Sequence, residues 1–201
     1  MKKKITVLIL ISILVAIIGG CSMLQKRKDH DKPLVTLETN LGNIKIELYP
    51  KKAPVTVKNF KRYVKNDFYD NTIFHRVIPN FVIQAGGITK NLEGKETYDP
   101  IENEADNGLK NKIGTISMAR TSKIDSATSH FFINLKHNKR LDHKNNTKQG
   151  YGYCVFGRVI DGMNVVDKIA DIKTKTVKKD GHKMKDVPSE NIIIKEATYN
   201  E

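Results

Sequence analysis

Polar and apolar residues alternate along Leu34–Asn40 and again along Asn43–Leu48, where Ile44, Ile46 and Leu48 share one face. Period-two alternation marks half-buried strands, because successive side chains point to opposite faces. Leu41-Gly42 joins the two runs as a hairpin. The period then changes. Pro54 sits at the helix position where a missing N–H matters least, and Val57, Phe60 and Val64 give that helix one apolar face. Two short apolar runs at 74–78 and 81–85 flank Pro79-Asn80, which predicts two strands and a tight connection. A polar stretch follows over 89–112, then strands over 113–118, 130–135 and 154–160. Asp161-Gly162-Met163 opens a second short helix with Met163, Val166 and Ile169 on one side. A Lys-rich polar loop is expected over 171–190, and a last strand over 191–197. Many short strands, two helices and no internal repeat predict a mainly β chain, an antiparallel barrel capped by helices.

The first twenty residues depart from this pattern. Lys2-Lys3-Lys4 precede an apolar run from Ile5 to Ile18, broken only by Thr6 and Ser12. That run is shorter than the ~20 residues of a comfortable spanning helix and suits a signal-peptide core. It ends in Ile18-Gly19-Gly20-Cys21-Ser22, which resembles the lipobox of bacterial lipoproteins. The resemblance implies cleavage before Cys21 and a lipid on its thiol. The expected organisation is a signal peptide over 1–20, a lipidated Cys and charged tether over 21–33, and a folded domain over 34–201. Two or more acyl chains make a stable membrane anchor. The implied location is the bacterial cell envelope, with the domain facing outside the cytoplasm.

The chain of 201 residues carries 35 Lys and Arg against 22 Asp and Glu, a net charge of +13. Such a balance fits nucleic acid, an anionic surface or a solvated face. No RNA-binding aromatic signature, helix-turn-helix or zinc-finger spacing accompanies it, so nucleic acid is not expected. The two cysteines, Cys21 and Cys154, make no disulfide framework. Cys154 lies in an apolar run and reads as a small buried residue.

Arg76 and Gln84 stand out inside the apolar runs at 74–85. A buried charge is costly unless something pairs with it, so Arg76 reads as a site residue. Other chemistries fit less well. Ser129 and His130 are neighbours with Asp125 nearby, but adjacent strand residues face opposite ways. There is no Gly-x-Ser-x-Gly elbow. His137 and His143 lack the usual zinc spacings, and no metal site is expected.

Phe74-His75-Arg76-Val77-Ile78-Pro79, with Phe81 and Gln84, resembles the signature of cyclophilin-type peptidyl-prolyl cis-trans isomerases. Three further segments agree in order: Gly114–Arg120, Ser126–Asn134, and Val155–Val159 with Asp161-Gly162-Met163. The likeness runs from about Leu34 to the C-terminus. It implies a closed eight-stranded antiparallel barrel capped by two α-helices, no cofactor, and proline-containing polypeptides as substrates of a monomer. By resemblance Arg76 and Gln84 are catalytic, and Phe81, Val82, Phe132 and Leu141 form a proline pocket. Ala119, Arg120 and Thr121 would line the substrate groove, with a structural role for His75. His130 stands where the family usually has Gln, Tyr153 where many members have His, and Val82 where Met is frequent. His130 is expected to add pH dependence near 6.5. Arg140 stands where cyclosporin-sensitive members carry Trp, which implies weak cyclosporin binding. The competing reading is a membrane-tethered binding or chaperone module of the same fold with little turnover.

Overall fold

The computed structural model describes residues 33–200; the leader, Cys21 and most of the tether lie outside them. The two alternating runs form β1 (Leu34–Thr39) and β2 (Gly42–Leu48), paired antiparallel with Val35 opposite Ile46 and Leu37 opposite Ile44. All four of these side chains are fully buried. Helix α1 (Pro54–Lys65) follows, with Pro54 in its first turn. Then come β3 (Thr72–Ile73), β4 (Arg76–Ile78), β5 (Val82–Ala85), β6 (Thr115–Met118) and β7 (Phe131–Asn134). A single 3-10 turn at Lys139–Leu141 precedes β8 (Val155–Asp161), and α2 (Met163–Ala170) follows it. β9 (Thr174–Lys179), β10 (His182–Pro188) and β11 (Ile193–Asn200) complete the described chain.

Nine strands form one sheet in the order β3-β11-β1-β2-β8-β6-β7-β5-β4. Its terminal members, β3 and β4, belong to one short run of chain. Within that run Phe74 N–H donates to the Ile192 carbonyl and His75 N–H to the Gln84 carbonyl. The ends of the sheet therefore meet in a single segment, and counting that segment once leaves eight strands. The core cluster lies wholly between Val35 and Ala197. Phe60 of α1 anchors it, with its ring edge-on to Phe131 at 5.4 Å and 5.1 Å from Phe156. α2 buries Val165, Val166 and Ile169. Gly42, at φ +129°, leaves room for α2, since a Cβ there would lie 2.8 Å from Val165 Cγ2.

Helix α1 begins at Ala53, which has no side chain to cap it. The Glu104 carboxylate supplies the acceptors, taking the N–H groups of Val55 and Thr56 at 3.0 and 2.8 Å and the Thr56 hydroxyl at 2.7 Å. A carboxylate there satisfies orphan donors and complements the positive end of the helix. Glu104→Ala should therefore lower unfolding free energy by about 2 kcal/mol, hydrogen bonds to charged groups contributing roughly 1.5–3 kcal/mol. Urea denaturation measures this, and an unchanged midpoint would contradict the capping role.

The Lys-rich stretch over 171–190 is not a loop. β9 and β10 pair antiparallel, with Lys179 opposite His182 and Lys178 opposite Lys183. Asp180 and Gly181 form the turn at φ 50° and 79°, the two positive φ values that a tight hairpin uses. Its exposed lysines hide the alternation by which a half-buried strand is recognised.

Candidate active site

The face of β4, β5 and β7 that turns away from the core carries the polar pair. Arg76 sits directly opposite Gln84 across β4 and β5, and Gln84 opposite Phe132 across β5 and β7. Val77 and Ile83, one position along, are fully buried on the inner face. Strand alternation thus puts Arg76, Gln84 and Phe132 in one row. Pro79 and Asn80 make the connecting turn, with Asn80 at φ 58° and Phe81 N–H donating to the Ile78 carbonyl at 3.1 Å.

Arg76 is less buried than its apolar neighbours in sequence suggest, with 41% of its side chain exposed. Its partner is Asp186, whose Oδ2 lies 3.5 Å from Arg76 Nε. Asp186 has φ 59° and falls in the irregularity of β10 between Met184 and Val187. A bulge of this kind re-aims a side chain, and here it faces Asp186 toward Arg76. No other described residue pairs with the Arg76 guanidinium, so its terminal amino groups are available to a ligand.

Beside Arg76 is a cavity of about 270 Å³. Phe81, Val82, Phe132 and Leu141 supply its apolar wall; Gln84, Tyr153, Ala119 and Arg120 complete the lining with Arg76. Val82 and Phe132 are almost fully buried, and the Phe132 and Tyr153 rings meet edge-on at 5.7 Å. An asparagine network fixes this wall from behind. Asn138 Nδ2 donates to the Phe81 carbonyl at 2.9 Å and to Asn134 Oδ1 at 2.8 Å. Asn134 in turn donates to Thr115 Oγ1 at 2.9 Å. The 3-10 turn places Leu141, whose carbonyl accepts from Tyr153 N–H at 2.9 Å.

Thr121 and His130 do not line this cavity. They line a neighbouring one of about 300 Å³, which shares Gln84, Ala119 and Arg120 with the first. The Arg120 side chain is committed elsewhere: Nε donates to the Gly152 carbonyl at 2.9 Å and Nη2 to the Lys148 carbonyl at 3.2 Å. Its backbone N–H and carbonyl have no partner among the described residues, and Arg120 lines both cavities.

His75 is 7% exposed, and its ring lies 5.0 Å from that of His130. Burial, with the nearby His130 and Arg76, lowers the His75 pKa to about 3. Nδ1 of His75 has no hydrogen-bond partner among the described residues. Burial also lowers the pKa of His130. Any titration of His130 is therefore expected below the usual imidazole range, because burial penalises the charged ring. Ser129 turns the other way, fully buried, and donates to the Gly86 carbonyl at 2.8 Å. Gly86, at φ +116°, permits that approach, since a Cβ would lie 2.5 Å from the Ser129 carbonyl oxygen. Cys154 is buried and its thiol pKa is pushed up to about 12, chiefly by desolvation.

Sequence reasoning missed two parts of this arrangement. Asn138 carried no signal beyond a polar loop. Asp186 follows a Lys-rich run, and nothing local ties it to Arg76; recognising Asp180-Gly181 as a hairpin turn would have been the first step.

Comparison with known proteins agrees with this geometry. Residues 34–199 match the family model for cyclophilin type peptidyl-prolyl cis-trans isomerase. A peptidyl-prolyl cis-trans isomerase of Acinetobacter baylyi is 59% identical over 143 residues, covering 71% of this chain and 74% of that one. Peptidyl-prolyl cis-trans isomerase B of Escherichia coli K12 is 50% identical over 168 residues, 84% of this chain and all of that one. Among solved structures, a Cryptosporidium parvum cyclophilin type isomerase determined in the presence of the dipeptide Ala-Pro superposes with a TM-score of 0.70 at 28% identity. It covers 84% of this chain and 99% of that one. Fold, motif order and sequence identity agree: the chain belongs to the cyclophilin-type peptidyl-prolyl cis-trans isomerases.

Proposed function

We propose that this isomerase turns X-Pro bonds of envelope or secreted proteins with Arg76 as the catalytic donor, while a lipid on Cys21 holds it at a membrane. The amide C–N bond resists rotation by roughly 18–20 kcal/mol because of resonance. Rotation makes and breaks no covalent bond, so the chemistry consists of stabilising the twisted amide more than either planar form. As the amide twists, a lone pair localises on the prolyl nitrogen. A guanidinium N–H aimed at that nitrogen is worth most at the twisted geometry. The apolar wall of Phe81, Val82, Phe132 and Leu141 grips the proline ring while the preceding carbonyl swings. The free backbone groups of Arg120 pair with the substrate chain, with Ala119 and Thr121 beside them. Gln84, across the strand from Arg76, contacts the substrate backbone. Tyr153 and His130 border the groove.

The observation that carries this reading is the free end of the Arg76 guanidinium at a cavity walled by Phe81, Val82, Phe132 and Leu141. Its test is a proline-isomerisation assay on residues 22–201, in wild type and in Gln84→Ala. The wild type should be active, and Gln84→Ala should lose about tenfold in kcat/KM, on the order of one hydrogen bond to a strained substrate. Equal rates would remove Gln84 from the mechanism. For the anchor, Cys21→Ser in bacterial cells should abolish palmitate labelling; retained labelling overturns that part.

Arg140 bears on inhibitor binding. Its guanidinium lies 4.3 Å over the Phe81 ring, at the edge of the pocket. By the family resemblance Arg140 stands where cyclosporin-sensitive members carry Trp. Cyclosporin is expected to bind with Kd weaker than about 1 μM, equivalent to roughly −8 kcal/mol. Titration calorimetry decides this; nanomolar binding would contradict it.

A further inference from the structure

Arg76 lines three cavities, not one. Besides the apolar pocket, it borders a cavity of about 360 Å³ with Lys183 and Lys185 of β10. On another side it borders one of about 570 Å³ with Lys136, Lys139 and Arg140. Together the three are lined by seven Lys or Arg side chains and one carboxylate, Asp186. That carboxylate is already engaged by Arg76. Among the described residues, the flanks of the proline pocket therefore carry an excess of cationic side chains that Asp186 alone offsets.

The hairpin adds a second, independent observation. Five lysines lie within Thr174–Pro188, against two acids, Asp180 in the turn and Asp186. Lys178 and Lys183 stand directly opposite each other across β9 and β10. Like charges so placed destabilise a sheet. Lys179 reaches Glu93 at 3.6 Å, but Lys178, Lys183 and Lys185 have no acidic partner among the described residues. The fold gains nothing from this repulsion, whereas an anionic ligand would relieve it. Asp186 ties the same hairpin to Arg76, so the charge is held at the site.

We propose that these flanks select client segments in which Asp or Glu residues lie on either side of the X-Pro bond. The proposal rests on the isomerase activity and adds a substrate class to it. Extended chain advances about 3.3–3.6 Å per residue, so the side chains of residues flanking a bound proline come within reach of cavities that adjoin its pocket. The attraction acts mainly on encounter and on KM, because it is present equally in the planar and twisted amide. An anionic membrane is the other target such lysines fit; the peptide is favoured because the cationic side chains line cavities that share Arg76.

The test uses the full chain in detergent and three peptides that differ only in the residues flanking Ala-Pro: Glu, Gln or Lys. Exchange is followed by NMR at low and at physiological ionic strength. At low salt the Glu peptide should exceed the Gln peptide about tenfold in kcat/KM, through KM, as several exposed charge pairs would give. The Lys peptide should fall below both. The differences should shrink as the Debye length falls from about 30 Å at 0.01 M to about 8 Å at 0.15 M. The double variant K183E/K185E should reduce or invert the Glu-to-Lys ratio. Equal kcat/KM for all three peptides overturns the proposal, and with rates depressed by added phosphatidylglycerol it assigns the lysines to a membrane. A Glu preference untouched by K183E/K185E also overturns it. Absence of turnover on every peptide would instead strike the isomerase reading itself.

Discussion

Replacing Arg76 by Ala should lower kcat/KM for prolyl peptides by about 10²–10³, the loss seen when one pre-aimed transition-state donor is removed. The size follows from where the interaction forms. In the planar amide the prolyl nitrogen has no free lone pair, so Arg76 gains little from ground-state binding. The fall should therefore appear in kcat more than in KM. Folding should be little affected, because the side chain is 41% exposed and its one partner among the described residues is the half-exposed Asp186. Such a pair contributes about 0–1 kcal/mol to stability. Arg76→Lys should recover only part of the rate, because an ammonium on a flexible stem lacks the planar fork that Asp186 can hold by one edge while the other faces the substrate. Asp186→Asn should fall between wild type and Arg76→Ala, and should have no further effect in the Arg76→Ala background. Isomerisation assays beside circular dichroism check all of this. A folded Arg76→Ala enzyme with wild-type kcat would end the Arg-donor mechanism.

The row Arg76, Gln84 and Phe132 was legible because strand alternation is a local property: the polar residues interrupt apolar runs at even spacing. The apolar wall was legible for a different reason, the ordered likeness of four segments to one family. The mainly β architecture and its two helices came by the same routes. What stayed hidden depends on contacts far apart in sequence. Glu104 caps α1 from about fifty residues away, and Asn138 holds the Phe81 carbonyl across a similar separation. The hairpin at 174–188 was hidden by composition, since its outer lysines look like those of a loop. Its bulge at Asp186 depends on register, which pattern alone does not give. That hairpin turns out to be the element that adds an acid to Arg76 and cationic walls beside the groove.

Acid should destabilise the domain through His75. Its pKa is about 3 in the folded state, against about 6.5 in an unfolded chain. Below pH 6.5 the unfolded chain takes up a proton that the folded one refuses, so the unfolded state binds more protons and stability falls as pH falls. The slope approaches 1.4 kcal/mol per pH unit and persists until about pH 3. Between pH 6.5 and 4 this amounts to about 3 kcal/mol, a large part of the 5–15 kcal/mol typical of a domain. His130, also lowered by burial, acts in the same direction. Above pH 6.5 both rings are neutral in either state and contribute no slope. The cause is physical: His75 is enclosed, with His130 and Arg76 beside it, and a hydrogen bond to the Ile73 backbone offsets only part of the shift. Carboxylates titrate over part of this range, so the informative quantity is the difference from His75→Phe, which keeps an aromatic ring without a proton site. Urea denaturation from pH 4 to 7.5 should give a flatter profile for His75→Phe than for the wild type, the two separating progressively below pH 6.5. Parallel profiles would show that His75 does not set the acid limit.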